Sequence, residues 1–225
     1  MLTIKFFVVF VALALLGPIR DVPAQVNLGL SVGEESLRSF HLGIGEYFRV
    51  PEREVIIIRE RRIPEQEIPV VFLIAQRARV APAAIVDLRQ RGRSWLDITI
   101  HYGLSPEIYY VPMPATVRVG PPYGKAYGHF KNKPKKEWKT IVLSDGDVIN
   151  LVNLKFVSEH YGHPPEEVMR LRSSGKQFVV LHDEVRKEKE GKGKKSRDHG
   201  DDDRRGEGSK GKGQGKGKGH QKDKD

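Results

Sequence analysis

Residues 158–178 read SEHYGHPPEEVMRLRSSGKQF, and residues 75–95 read AQRARVAPAAIVDLRQRGRSW. At a constant offset Pro165 falls on Pro82, Val168 on Ile85, Leu171 on Leu88, Arg172 on Arg89, Gly175 on Gly92 and Phe178 on Trp95. A third copy, IGEYFRVPEREVIIIRE at 44–60, aligns with VSEHYGHPPEEVMRLRS at 157–173, and HYGLSPE at 101–107 echoes HYGHPPE at 160–166. Self-similarity on this scale marks supersecondary units that bury a common core by packing together.

Each recurring residue type has a physical role. Gly103 and Gly162 suit the left-handed residue that closes a helix, because glycine has no Cβ to clash there. Ser105 offers an N-cap oxygen, and Pro106 fits a first helical turn, where its missing N–H would have no partner anyway. Glu166 and Glu167 face the positive end of a helix dipole. Val168 and Leu171 stand at helical spacing and predict one buried stripe. Gly92 and Gly175 end the second helix of each unit, and Trp95 and Phe178 begin the next as large core side chains. Arg59, Arg89 and Arg172 recur after the apolar residues, and the reading gives them pairing with nearby Glu, Asp or helix carboxyl ends.

The predicted fold class is therefore all-α, an array of stacked helical hairpins. Ser31-Val-Gly-Glu34 predicts a capping box opening a helix that ends near Phe48. Further helices are predicted over about 52–62, 66–79, 83–91, 94–102, 106–110, 146–161, 165–174 and 176–187. EVIIIRE at 54–60 has the β-branched content of a strand. Its alignment with EVMRLRS decides for helix.

The ends read differently. In 1–24, Lys5 precedes the apolar run FFVVFVALALL, Gly17-Pro18 breaks it, and Val22-Pro-Ala24 offers small residues for cleavage. That is the grammar of a secretory signal peptide, and the run is shorter than the roughly 20 residues a spanning helix needs. The expected location is thus periplasmic or extracellular. There is no cysteine, so disulfides and thiolate chemistry are excluded and packing must supply the fold. From 187 to 225 the chain is Gly/Lys-rich without an apolar side chain and predicts a disordered basic tail. The organisation expected is 1–24 signal, 25–110 helical units, 111–143 an inserted loop, 144–186 the last unit and 187–225 tail.

LDITIHYGLSPEIYYV at 96–111 resembles the helix-turn-helix of bacterial regulators, whose second helix enters the DNA major groove. Here that helix would offer Glu107, Tyr109 and Tyr110 and stop at Val111-Pro112, with no arginine or asparagine reader, so packing is the expected use. Over 31–186 the chain also resembles a group of uncharacterised exported bacterial proteins, through the P-x-x-[IV]-V-x-L-R…G-R-S-W, GPPYGKAYG and NLVNLKF…EHYG text and the Gly/Lys tail. The resemblance supports the domain limits and implies no activity.

The departure from the repeating text lies at 111–143, where Tyr123, Tyr127, His129, Phe130 and Trp138 alternate with Lys125, Lys131, Lys133, Lys135 and Lys136. Aromatic faces stack on bases or sugars while lysines neutralise phosphate or carboxylate, so these residues are the candidate binding site. The competing reading has the aromatics pinning the loop to the helical body. With a formal charge of +10 the expected partner is a polyanion, an envelope polymer or nucleic acid. A protein partner on the helical faces is the alternative. No G-x-S-x-G, H-E-x-x-H, P-loop or Rossmann pattern occurs, so no catalytic residue and no cofactor is assigned, and an envelope hydrolase stands last. His160-x-x-His163 beside Glu159 has metal-ligand residue types. Those slots hold Tyr47, Arg77, Val50 and Val80 in the other copies, which predicts helix-end positions instead of a metal site.

Overall fold

The structure, a computed structural model, describes residues 33–114 and 116–202, with side chains as far as 191. Contacts divide the chain into units 1–31 and 32–225, and the described residues all belong to the second. The expected signal peptide therefore lies outside the described residues. Among those described, the regular structure is helical: α1 (Glu34–Phe48), α2 (Glu52–Glu60), α3 (Ile68–Ala78), α4 (Pro82–Gln90), α5 (Trp95–His101), α6 (Gly124–Asn132), α7 (Asp145–Tyr161), α8 (Pro165–Ser173) and α9 (Phe178–Asp202). Short 3-10 turns stand at Glu65–Glu67, Pro106–Tyr109 and Lys135–Thr140. EVIIIRE is helical, within α2. No helix among the described residues is long and apolar enough to cross a membrane.

The aligned segments fold alike locally. Stretches 44–60 and 157–173 carry the same succession of helix, turn, extended residues and helix. At the end of α7 the left-handed residue is Gly162, at φ 70°. At the ends of α1 and α3 it is Arg49 and Arg79, at φ 55° and 57°. A side chain there costs about 1–2 kcal/mol relative to a right-handed conformation, so these two hinges are strained where Gly162 is not. Gly92 and Gly175 close α4 and α8, and the buried Trp95 and Phe178 open α5 and α9.

The two arginines before those rings repeat one arrangement. The Arg89 guanidinium lies 4.6 Å from the Trp95 ring centre and donates to the Arg93 carbonyl at 3.1 Å. Arg172 lies 4.8 Å from the Phe178 ring centre and donates to the Lys176 carbonyl at 2.6 Å. In each case the cation covers an aromatic face and satisfies a carbonyl in the turn between two helices. Arg89 also binds Glu67 at 2.9 Å and Asp145 at 2.6 Å, and Arg59 binds Glu65 at 2.8 Å.

Successive helices pack on one another, α1 on α2, α3 on α4 and α7 on α8. They gather around α7, which packs against α1, α3, α5, α8 and α9. Its sequence explains the position: Val148, Leu151, Val152, Leu154, Phe156 and Val157 leave no polar stripe, so the helix is buried around nearly its whole circumference. Ser144 and Asp147 form a reciprocal capping box at its start. Asn153, fully buried, donates to the carbonyls of Gln66 and Ile149, both at 2.8 Å, and so ties α7 to the turn before α3.

Four expectations change. The N-cap of α1 is Gly33, without a side-chain hydrogen bond, and Ser31 lies outside the described residues. Residues 106–109 form a 3-10 turn, because Tyr109 is drawn into the core and its hydroxyl meets Thr99. The segment 111–143 is not a plain loop: it contains α6 and a 3-10 turn. Finally, α9 passes the expected boundary at 187 and runs to Asp202. Ion pairs Lys187–Asp183 at 2.7 Å and Arg186–Glu190 at 2.8 Å, one helical turn apart, brace the helix across 183–190. The remainder of the expected tail, 203–225, lies outside the described residues.

Candidate functional site

Residues 110–140 hold the candidate site, and their aromatic side chains face inward. Tyr123, Tyr127, Phe130 and Trp138 are all buried. The spacing of 123, 127 and 130 is that of one helical face, and α6 turns that face to the core. Trp138 donates through Nε1 to the carbonyls of Phe130 at 3.1 Å and Lys133 at 3.0 Å. Its ring meets Phe130 edge-on, with Tyr110 4.7 Å away on a tilted face. Tyr127 donates to the Val111 carbonyl at 2.7 Å, and Ser173 on α8 donates to the Pro121 carbonyl at 2.8 Å. Burial raises the Tyr127 and Tyr123 phenols above their ordinary range, with nearby Tyr110 and Tyr123 adding to the effect on Tyr127. These rings fix the segment on the helical body.

The cations lie outside them, with the Lys135 ammonium 5.7 Å from the centre of the Trp138 ring. Lys125, Lys131, Lys135 and Lys136 are exposed, and so is Lys139. Lys133 is half-buried and donates to Thr140 at 3.0 Å, while His129 is half-buried on α6. Among the described residues none of the five exposed ammonium groups has a carboxylate within ion-pair distance. Between 118 and 139 the only carboxylate is Glu137, against Arg118 and six lysines. An ordered, basic surface results, backed by an aromatic cluster.

Beside it runs a groove of about 540 Å³. Tyr110, Tyr127, Phe130, Met113, Val117 and Val119 give it an apolar lining. Gly124 and Gly128 also line it, and so do the exposed Arg118 and Lys131. Sequence reading found Tyr127, Phe130 and Lys131 but missed the aliphatic lining, which comes from a stretch without periodic pattern.

A second cleft, of about 640 Å³, lies where α1, the end of α7 and α9 meet, and Tyr161, His160, Arg186 and Gly43 are among its lining residues. Behind it His182, fully buried, hydrogen-bonds Tyr161 through Nε2 at 2.7 Å. Burial pushes His182 down to about 3 and lifts the Tyr161 phenol above its usual range. Both shifts run against acid–base work near neutrality, where a base needs a pKa near the operating pH. The hydrogen bond ties α9 to the end of α7. His182 was not singled out from sequence, although it shares the i, i+3, i+4, i+7 stripe of Phe178, Leu181 and Val185.

His160 pairs with Glu46 at 3.3 Å and His163 with Glu167 at 3.3 Å, so the two histidines address different carboxylates. Among the described residues no three of His, Asp and Glu gather as a metal site. Compared with known proteins, the chain matches no family model, no curated protein and no solved structure.

Proposed function

We propose that this chain is an exported, non-catalytic protein that holds an anionic polymer, of the envelope or a nucleic acid, on the basic surface of 118–140. The observation that carries the reading is the set of exposed, unpaired lysines 125, 131, 135, 136 and 139 on a segment fixed by Trp138, Phe130 and Tyr127. A fixed array of cations binds a polymer with less ordering cost than a loose one. The Gly/Lys-rich composition after 187 adds to the attraction. Contacts of this kind release counterions, so log affinity falls linearly with log salt. The test is titration of the full chain with heparin and with poly(dT) across salt concentrations. Reversing Lys125, Lys135, Lys136 and Lys139 to Glu should flatten the salt slope and weaken binding at least tenfold. Affinity that ignores salt, or survives the reversal, would end the proposal.

One observation favours a protein partner as the second reading. Ile57 is 53% exposed and lines a shallow cavity of about 230 Å³ with Ile58, Ala81, Pro82, Ala83 and Val86. Exposed apolar side chains grouped with others are a mark of interaction surfaces. Association through this face would persist in high salt and be lost in Ile57→Glu.

A further inference from the structure

We propose that the groove beside α6 is a separate binding site for a small amphipathic anion: an apolar body carrying one acidic group. The volume of about 540 Å³ falls within the range of small-molecule sites. Its walls supply the apolar part of the recognition. The half-buried Tyr110, Met113, Val117 and Val119 line the groove together with the buried Tyr127 and Phe130, so a hydrocarbon would meet both aliphatic and aromatic carbon.

The charge in the lining decides which apolar body fits. Arg118 and Lys131 line the groove, and no carboxylate does. Both cations are exposed, and neither has a carboxylate partner among the described residues. A neutral hydrocarbon would leave them unused, and a cation would be repelled. An acid places its charge at the mouth, in water, where pairing costs little desolvation.

Of the two glycines, Gly128 leaves open space, whereas a Cβ on Gly124 would meet the Val119 carbonyl oxygen at 3.0 Å. Gly128 lies inside α6, where glycine costs about 0.5–1 kcal/mol relative to alanine. No atom lies within 4 Å of where its Cβ would stand, and Gly128 lines the groove, so a large side chain there has room to enter it. Sequence propensity argues against glycine at this position and the core does not require it. Vacancy of the groove is what it provides.

The site rests on the apolar lining, the two cations and Gly128, and it does not depend on polymer binding. Its test uses 2-naphthoate as the probe and neutral 2-naphthalenemethanol as the matched control, both titrated calorimetrically into the full chain. Naphthoate should bind one to one and at least tenfold more tightly than the alcohol. Gly128→Trp should weaken naphthoate at least tenfold. Arg118→Ala with Lys131→Ala should bring naphthoate down to the affinity of the alcohol and leave the alcohol unchanged. Lys135→Glu with Lys136→Glu should change naphthoate less than twofold while weakening heparin, which separates this site from the polymer surface. If Gly128→Trp does not fold, the surface double variant decides alone. The proposal is overturned if naphthoate fails to bind at millimolar concentration, if the alcohol binds equally well, or if the double variant binds naphthoate as the unsubstituted chain does. A larger partner using the groove would appear as absence of naphthoate binding and counts against the proposal too.

Discussion

Gly43 runs so close to His182 that a Cβ on residue 43 would stand 2.4 Å from the imidazole Nε2. The imidazole cannot retreat: it lies stacked on Phe156 with Phe40 edge-on, and it is fully buried. Gly43→Ala should therefore lower unfolding stability by about 1–3 kcal/mol, the usual range for overpacking. Gly146→Ala, in the first turn of α7 with only Ser144 Oγ at 3.9 Å, should raise it by about 0.4–1 kcal/mol. Urea midpoints of the two variants check both, and equal midpoints would contradict the close approach.

His182 makes stability depend on pH. Its folded pKa of about 3 lies below the unfolded value near 6.5. Between the two the unfolded chain binds more protons, so stability falls as pH falls. The contribution is complete above about pH 6.5 and drains away toward pH 3, at up to about 1.4 kcal/mol per pH unit. His182→Gln should lose that part of the slope. Urea unfolding of both proteins at pH 4, 5, 6 and 7 measures the difference, and parallel curves would refute the assignment.

The two arginines over aromatic rings are not equivalent. Removing Arg89 leaves the buried Glu67 without its cation, whereas Arg172 faces only neutral acceptors, Asn150 and the Lys176 carbonyl. Arg89→Ala should cost about 3–5 kcal/mol, as for a broken buried pair. Arg172→Ala should cost about 1–2 kcal/mol, the worth of a cation–π contact and a hydrogen bond. Equal losses in thermal unfolding would show that Glu67 finds another partner or takes up a proton.

The capping box of α7 gives a fourth expectation. Ser144 accepts from the Asp147 N–H at 3.2 Å, and Asp147 accepts from the Ser144 N–H at 3.0 Å. Ser144→Ala should lower stability by about 1 kcal/mol. Ser144→Asp should restore most of it, and failure of that rescue in urea unfolding would point to a role outside capping.

What could be read from sequence was local. Pro82 and Pro165 open helices and Gly92, Gly103, Gly162 and Gly175 close them, because these residues carry their backbone preference with them. Arg49 and Arg79 in left-handed conformation were recoverable only by alignment with Gly162, since nothing about arginine favours φ above zero. The direction of the aromatics at 123–138 was open in the reading, although the spacing of Tyr123, Tyr127 and Phe130 already carried the answer. The groove was not legible at all. Met113, Val117 and Val119 line it from a stretch with no periodic pattern to announce them.

The burial of α7 on nearly every side has a consequence for synthesis. The helices α1, α3 and α5 share a wall in residues 145–161, which leave the ribosome after all of them. Until then the surface they turn to α7, such as Phe40 against Phe156, is uncovered, and exposed apolar surface on a nascent chain invites misassociation. A truncation ending before Ser144 should therefore be a chaperone client, whereas one ending after Val185 should fold unaided.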